Sequence, residues 1–205
     1  MNPIRLQDSD ALLVIDMQYD FLPGGSLGVP EGDQVLAPVN EAMARFAALG
    51  LPVYASRDWH PENHCSFAER GGPWPPHCVA ETRGAAFSEE LALPADTVII
   101  SKADSADADA YSAFNGTALA EHLRQHGVSR VFVCGLATDY CVLNTVLDGI
   151  DAGFEVLIAL EATRAVEVAP GDGDRAIARM LSRGAVPVRL SGGALVGDLS
   201  LGALP

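Results

Sequence analysis

No apolar run in the chain reaches the roughly 18 residues that a membrane span needs. The opening MNPIRLQDSD lacks the apolar core of a secretory signal. Basic residues are scarce, 13 Lys plus Arg against 27 Asp plus Glu, for a net charge of −14. That sign repels phosphate backbones and anionic lipid, which argues against nucleic acid or a membrane as partner. Cysteine is limited to four residues, Cys65, Cys78, Cys134 and Cys141. Without a signal, they are expected as reduced thiols of a cytoplasmic protein rather than as a disulfide framework. The chain shows no internal repeat and no dividing linker. Its 205 residues suit one domain, 1–205, of a size that buries roughly 70% of its unfolded surface. Hydrophobic residues at 49% and charged residues at 20% fit a globular chain and not a disordered one.

Apolar, β-branched runs recur along the chain. Strands are expected at Ala11–Met17, Pro52–Ser56, Asp96–Ser101, Arg130–Leu136, Glu155–Leu160 and Val186–Leu190. Helical spacing falls at Val35–Leu49, Thr117–His126, Asp139–Ala152 and Asp172–Arg183, three of these ending at Gly50, Gly127 and Gly184. Alternating strands and helices predict an α/β fold, a parallel sheet of six strands covered by helices on both faces. Pro187 weakens the last strand and places it at an edge. Residues 57–93, rich in Pro, Gly, His and Trp, break the alternation, and a loop of that length is usually functional.

Ligands of such sheets bind at the carboxyl ends of the strands. Asp16, Asp58, Lys102 and Cys141 all fall there, from four different strands. Four ionisable groups on one sheet edge form a candidate active site. Cys141, in GLATDYC, sits at the start of a helix, where unpaired N–H groups favour a thiolate and could receive an oxyanion. Lys102, buried at a strand end, needs a counter-charge, and Asp16 is the obvious one. These three suggest a triad in which Asp16 accepts the thiol proton and Lys102 orients Asp16. Reference pKa values about 4.6 units apart oppose that transfer by roughly 6 kcal/mol, so the site must shift both groups.

In RDWHPENHCSF, Asp58 and His60 are two residues apart, so an extended segment points both to one side. Two imidazoles and a carboxylate with open positions suit a divalent catalytic metal. The third ligand is His77 or His64, since three of the five histidines lie within 18 positions. Phe21, Trp74 and Tyr111 all follow strand ends and together could stack on a flat ring.

These residues resemble a known family, the bacterial nicotinamidases or pyrazinamidases of the isochorismatase-like hydrolase superfamily. The resemblance rests on VIDMQYDFLPGGSL from Val14, SRDWHPENHCSF from Ser56, WPPHCV from Trp74, SKADSADADAYSAF from Ser101 and VCGLATDYCVLNT from Val133. It covers almost the whole chain in the family's order. It implies a three-layer α/β/α, Rossmann-like fold with six parallel strands. It implies a catalytic triad of Asp16, Lys102 and Cys141, with Asp58, His60 and His77 as metal ligands and His64 as a further ligand in some members. It also implies an oxyanion hole from the N–H groups of Ala137 and Cys141, a cis Leu136–Ala137 peptide, and ring walls from Phe21, Trp74 and Tyr111. The loop 57–93 becomes a metal-binding insertion. The metal is one divalent ion, zinc first, with iron or manganese as alternatives.

The activity implied is hydrolysis of nicotinamide, and of pyrazinamide, to the acid and ammonia through a cysteine thioester, in NAD salvage. A homo-oligomer is compatible with the family. One departure stands out: where the family usually has Gln-Gly-Thr-x-Gly, the chain reads Ala80-Glu81-Thr82-Arg83-Gly84. The rival enzyme is another amidase of the superfamily, acting on a carbamoyl or ureido substrate. Isochorismatase activity itself does not use the cysteine. The rival of another class, a non-enzymatic thiol sensor or binding module, leaves Lys102 and the metal ligands without a purpose.

Overall fold

The computed structural model describes residues 2–191 and 194–197. The strands are β1 (Asn2–Pro3), β2 (Asp10–Ile15), β3 (Val53–Asp58), β4 (Val98–Lys102), β5 (Arg130–Leu136), β6 (Glu155–Arg164), β7 (Val186–Ser191) and β8 (Ala194–Gly197). The helices are α1 (Leu36–Ala48), α2 (Leu119–Gln125), α3 (Leu143–Asp151) and α4 (Asp172–Ser182). One sheet runs in the order β1-β8-β7-β6-β5-β2-β3-β4. Strands β2 to β7 are parallel to their neighbours among themselves, which makes the six expected strands. Two short antiparallel strands, β8 and β1, extend the sheet beyond β7.

The strand carrying Pro187 is therefore not an outer edge, as the sequence suggested. Its pairing with β8 begins at Val188 and runs to Ser191. Pro187 lies outside that ladder, so its missing N–H costs no β8 bond. The helix expected from Asp139 begins differently too: Thr138–Val142 form a π-helical turn before α3.

The layers follow from side-chain alternation. Leu12 and Val14 of β2 face one core with Phe46, Met43 and Val39 of α1. Ala11, Leu13 and Ile15 face the other, with residues of α2, α3 and α4. In α1 the buried residues Leu36, Val39, Met43 and Phe46 recur every three or four positions, and Gly50 at φ +67° ends the run.

From β2 the chain builds outward through β3 and β4, then returns to place β5 on the other side of β2. This reversal is a switch point of the kind that opens a crevice at strand ends. Gly135 makes the close approach there: at φ +110°, a Cβ would lie 2.1 Å from the Ile15 carbonyl.

At the opposite end of the sheet, Arg130 donates from Nε and Nη2 to the two oxygens of Asp10, each at 2.7 Å. Both side chains are almost wholly buried. Asp10→Ala would leave the guanidinium without its carboxylate inside the protein. We expect a loss of about 3–5 kcal/mol in urea unfolding. A loss below about 1 kcal/mol would show that the pair does not tie β2 to β5.

Candidate active site

Register brings the ends of β2, β3, β4 and β5 level. Ile15 pairs with Ser56 and with Gly135, and Asp58 pairs with Lys102. Asp16 follows β2 at once, and Cys141 sits on the π-helical turn after β5. Asp16, Lys102 and Cys141 are all buried. Lys102 Nζ stands 3.0 Å from Asp16 Oδ2 and donates to Cys141 Sγ at 3.5 Å and to the Ala110 carbonyl at 3.2 Å. It also donates to Asp58 Oδ1. The ammonium is thus shared between two carboxylates, whereas the sequence paired it with Asp16 alone.

The charges shift accordingly. Burial raises the Asp16 carboxyl above its ordinary 3.8; Lys102 opposes this and Asp58 adds to it. Burial also opposes ionisation of Asp58, but Lys102 and His60 outweigh it and hold that carboxyl well below the ordinary range. Burial pushes the Cys141 thiol far up, with Lys102 opposing and the two carboxylates reinforcing. Burial works against the Lys102 charge, yet Asp16 and Asp58 raise its pKa well above 10.5. Asp16 is thereby a stronger base than a free carboxylate, and the lysine stays charged.

Beside this group, Asp58, His60 and His77 offer ligand atoms that all lie within 4.8 Å of one another. The chemistry of the donors fits a divalent ion. His60 Nδ1 lies 3.0 Å from the Ala103 carbonyl, and His77 Nδ1 lies 2.8 Å from that of Pro75. A carbonyl only accepts, so each Nδ1 carries the proton and each Nε2 keeps its lone pair. Burial lowers the His77 pKa, which keeps the ring neutral as ligation requires. Asp16, Asp58 and Cys141 also converge within 4.8 Å. There the Lys102 ammonium already supplies the cation.

His64 is not in either cluster. Its Nδ1 lies 2.7 Å from Ser66 Oγ and its Nε2 3.1 Å from the Ala108 carbonyl, while the ring stacks on His60 at 4.1 Å. Both nitrogens are engaged by protein partners.

The segment after β3 carries no strand or α-helix up to β4, yet it is well pinned. Isolated bridges link His60 to Val79, Phe67 to Trp74, and Gln18 to Phe87. Three supports here escaped the sequence reading. Ser56 Oγ donates to Asp16 Oδ1 at 2.7 Å. The fully buried Gln18 amide accepts from Asp58 N–H and donates to the carbonyls of Asp58 and Ala85. Asp20 Oδ2 accepts the Cys78 N–H at 2.7 Å. Ser56 and Gln18 stand within the motif segments, but nothing in their spacing says that they face a carboxylate or a backbone.

The departure at 80–84 meets the same support. Gly84 remains, and a Cβ there would lie 2.1 Å from Asp20 Oδ2. Glu81 holds φ +65°, the left-handed conformation that glycine adopts freely. None of residues 80–84 lines the pocket.

That pocket, about 440 Å³ counting its mouth, opens onto Cys141 and Asp58. Phe21, Trp74 and Tyr111 line it as expected, and so do Ala137 and His77. Leu27, Tyr140 and Val166 line it as well, without having been singled out in the sequence. Trp74 Nε1 donates to Tyr111 Oη at 3.0 Å, and Tyr140 meets both rings with centroids 5.3 and 5.6 Å away. The Leu136–Ala137 peptide is cis. A largely aromatic pocket ending on the Cys141 thiol and the Asp58 carboxylate, with the Lys102 ammonium buried behind both, suits acyl transfer on a small flat amide.

Comparison with known proteins agrees with this geometry. The profile of the isochorismatase domain matches residues 10–191. A nicotinamidase of Escherichia coli is 38% identical over 196 residues, covering 85% of this chain and 92% of that protein. The crystal structure of a pyrazinamidase of Pyrococcus horikoshii in complex with zinc is 52% identical with a TM-score of 0.85, covering 88% of this chain and 99% of that one. PnC1 from L. infantum, in complex with nicotinate, is 38% identical with a TM-score of 0.85, covering 92% and 96%.

Lys102→Met should expose what the ammonium balances. Without it, the Asp16 carboxyl, already above 3.8, rises further, and Asp58 loses the principal charge that outweighs its burial, so it rises too. Stability of the variant is then retained below that value and falls as the pH climbs through the raised values. Urea unfolding should show a deficit that widens from about pH 4 to about pH 8 and reaches on the order of 3–5 kcal/mol. A deficit independent of pH would contradict the shared-counter-ion role.

Proposed function

The chain belongs to the isochorismatase domain family and is a hydrolase of amide C–N bonds, and on that premise we propose that it is a metal-dependent nicotinamidase. The observation that carries the reading is the pocket itself: an aromatic slot leads onto Cys141, with Asp16 and Lys102 beside it. In this reading the pyridine ring lies among Phe21, Trp74, Tyr111 and Tyr140, with its carboxamide at the thiol.

Asp16 takes the Cys141 proton as sulfur attacks the carboxamide carbon. The oxyanion is received by the N–H groups of Ala137 and Cys141, both of which line the pocket. Asp16 then returns the proton to the leaving ammonia, and a thioester remains. Asp16 next deprotonates water, which opens the thioester to nicotinate. Lys102 stays protonated throughout and holds both carboxylates in place. Ser56 positions Asp16 through its 2.7 Å bond. Asp58, His60 and His77 would hold a divalent metal, zinc before iron or manganese, with His64 stacked behind His60. When bound, that ion supplies a cation that offsets the excess negative charge of Asp16 and Asp58 and favours the thiolate, and a Lewis-acid anchor for the ring nitrogen or a water. We assign the activity to NAD salvage in the cytoplasm, with pyrazinamide as a second substrate.

The first test is ammonia release from nicotinamide, with and without prior chelation. Release that chelation abolishes and metal restores is the expected result; a metal-loaded protein without turnover would move the substrate to another amide. Cys141→Ala should lower turnover at least about 10³-fold with metal content near normal. His60→Ala should weaken metal binding beyond the roughly 10–100-fold that altering a ligand's hydrogen-bond partner costs. Full metal occupancy in that variant would remove His60 from the ligand set.

Ser56→Ala gives a pH test. The Ser56 bond lowers the Asp16 pKa, so its loss raises that value further. Asp16 acts ionised, so the acid limb of kcat/KM should move to higher pH, and Ser56→Thr should move it back. An unmoved limb would show that Asp16 is not the titrating base.

A further inference from the structure

Residues 165–171, between β6 and α4, belong to no strand or helix, yet Val166 forms part of the pocket wall. A connection without ladder hydrogen bonds is ordinarily the part of a fold that opens first. Here side-chain carboxylates hold it. Asp139 lies on the turn that carries Cys141, two residues ahead of it. Its Oδ1 accepts the Val166 N–H at 2.9 Å, and its Oδ2 accepts the Glu167 N–H at 3.0 Å. Glu167, at φ +58°, in turn accepts the N–H groups of Gly171 and Gly173 at 2.7 and 2.8 Å. Gly173 has no room for a side chain, since a Cβ would lie 2.8 Å from both Ala165 Cβ and Glu167 Oε1. The segment is thus folded on itself and on the first turn of α4, and Asp139 hydrogen-bonds it to the nucleophile turn.

We propose that Asp139 is a positioning residue for substrate selection. Its carboxylate latches residues 165–171 to the turn bearing Cys141 and so fixes Val166 as the wall that limits which ring substituents the pocket accepts. The inference rests on the reading of this pocket as the site of a flat aromatic amide. Two N–H groups on one ionised acceptor form a stronger tie than neutral hydrogen bonds would. Because Asp139 and Cys141 share one turn, ring wall and nucleophile keep a constant separation. A substrate whose carboxamide reaches the sulfur must fit its ring against Val166. Releasing the latch lets the wall recede while Lys102 and Asp16 keep their own contacts with the sulfur. The loss therefore falls mainly on binding and on discrimination.

Asp139→Asn keeps the shape but presents an NH2 group to one of the two N–H donors. The test has one readout that needs no turnover and one that does. Hydrogen exchange by mass spectrometry, on metal-loaded protein, should show peptides spanning 165–171 exchanging on the order of tenfold faster or more in the variant, as for a lost charge-assisted bond. Steady-state kinetics should show KM for nicotinamide rising several-fold with a smaller change in kcat. The ratio of kcat/KM for ring-methylated pyridine-3-carboxamides over nicotinamide should rise. Val166→Ala, which leaves the latch intact, should raise the same ratio, and the double variant should add little to either single one.

Unchanged exchange in Asp139→Asn overturns the latch. A fall in kcat at constant KM overturns it as well, by showing that Asp139 acts on the nucleophile turn instead. An unchanged ratio in Val166→Ala overturns the wall, even if the Asp139 variants fail to fold. Absence of wild-type nicotinamide turnover would count against the proposed function, whereas the exchange result would still decide the latch.

Discussion

A single buried ammonium organises the site. Lys102 is 1% exposed, and it touches Asp16, Asp58 and Cys141 at once. An unpaired charge at that depth would be prohibitively costly, so the two carboxylates are obligatory partners rather than optional ones. The demand runs back into the sheet. The carboxylates must come from the ends of β2 and β3, and the lysine from the end of β4, in a register that sets Asp58 opposite Lys102. The same cation joins two kinds of chemistry, because Asp16 belongs with the thiol and Asp58 with the histidines.

Around that charge, hydrogen bonds fix the neighbouring groups. Gln18 clamps the backbone of Asp58, Asp20 fastens Cys78 beside His77, and Ser56 fastens Asp16. Backbone carbonyls set the tautomers of His60 and His77. Asp16, Cys78 and Ala103 all hold positive φ, at +48°, +45° and +52°. Such conformations cost energy and persist where surrounding contacts over-determine them, as they do in a preorganised site. In the proposed reaction, such a fixed frame leaves little to reorganise as charge moves between sulfur, carboxylate and substrate.

The pocket walls come from distant parts of the chain: Phe21 and Leu27 after β2, Trp74 and His77 after β3, Tyr111 after β4, Tyr140 after β5 and Val166 after β6. Five loops thus meet at one crevice, which is what the switch point between β2 and β5 allows. Asp16, Asp58 and Lys102 sit at strand ends while most of the lining side chains stand on loops, so a change of wall need not disturb the charges beneath it.

The alternation of apolar runs and helical spacing was enough to read the six parallel strands and four helices, because burial on both faces writes continuous apolar segments into the chain. Asp16, Asp58, Lys102 and Cys141 stood out as ionisable groups gathered at one sheet edge, and His60 by its spacing from Asp58, whereas the choice of His77 over His64 came from the family resemblance and not from spacing. Three things were decided only by the tertiary structure. The sharing of Lys102 between two carboxylates depends on the lateral register of β3 against β4, which leaves no trace in either strand alone. The engagement of both His64 nitrogens depends on Ser66 and on Ala108, from a loop 44 residues further on. Asp139, Tyr140 and Val166 draw their places from the π-helical turn after β5 and from a loop that local patterns leave undefined. Local sequence records which face of an element is buried; it does not record which polar atoms of remote segments will meet.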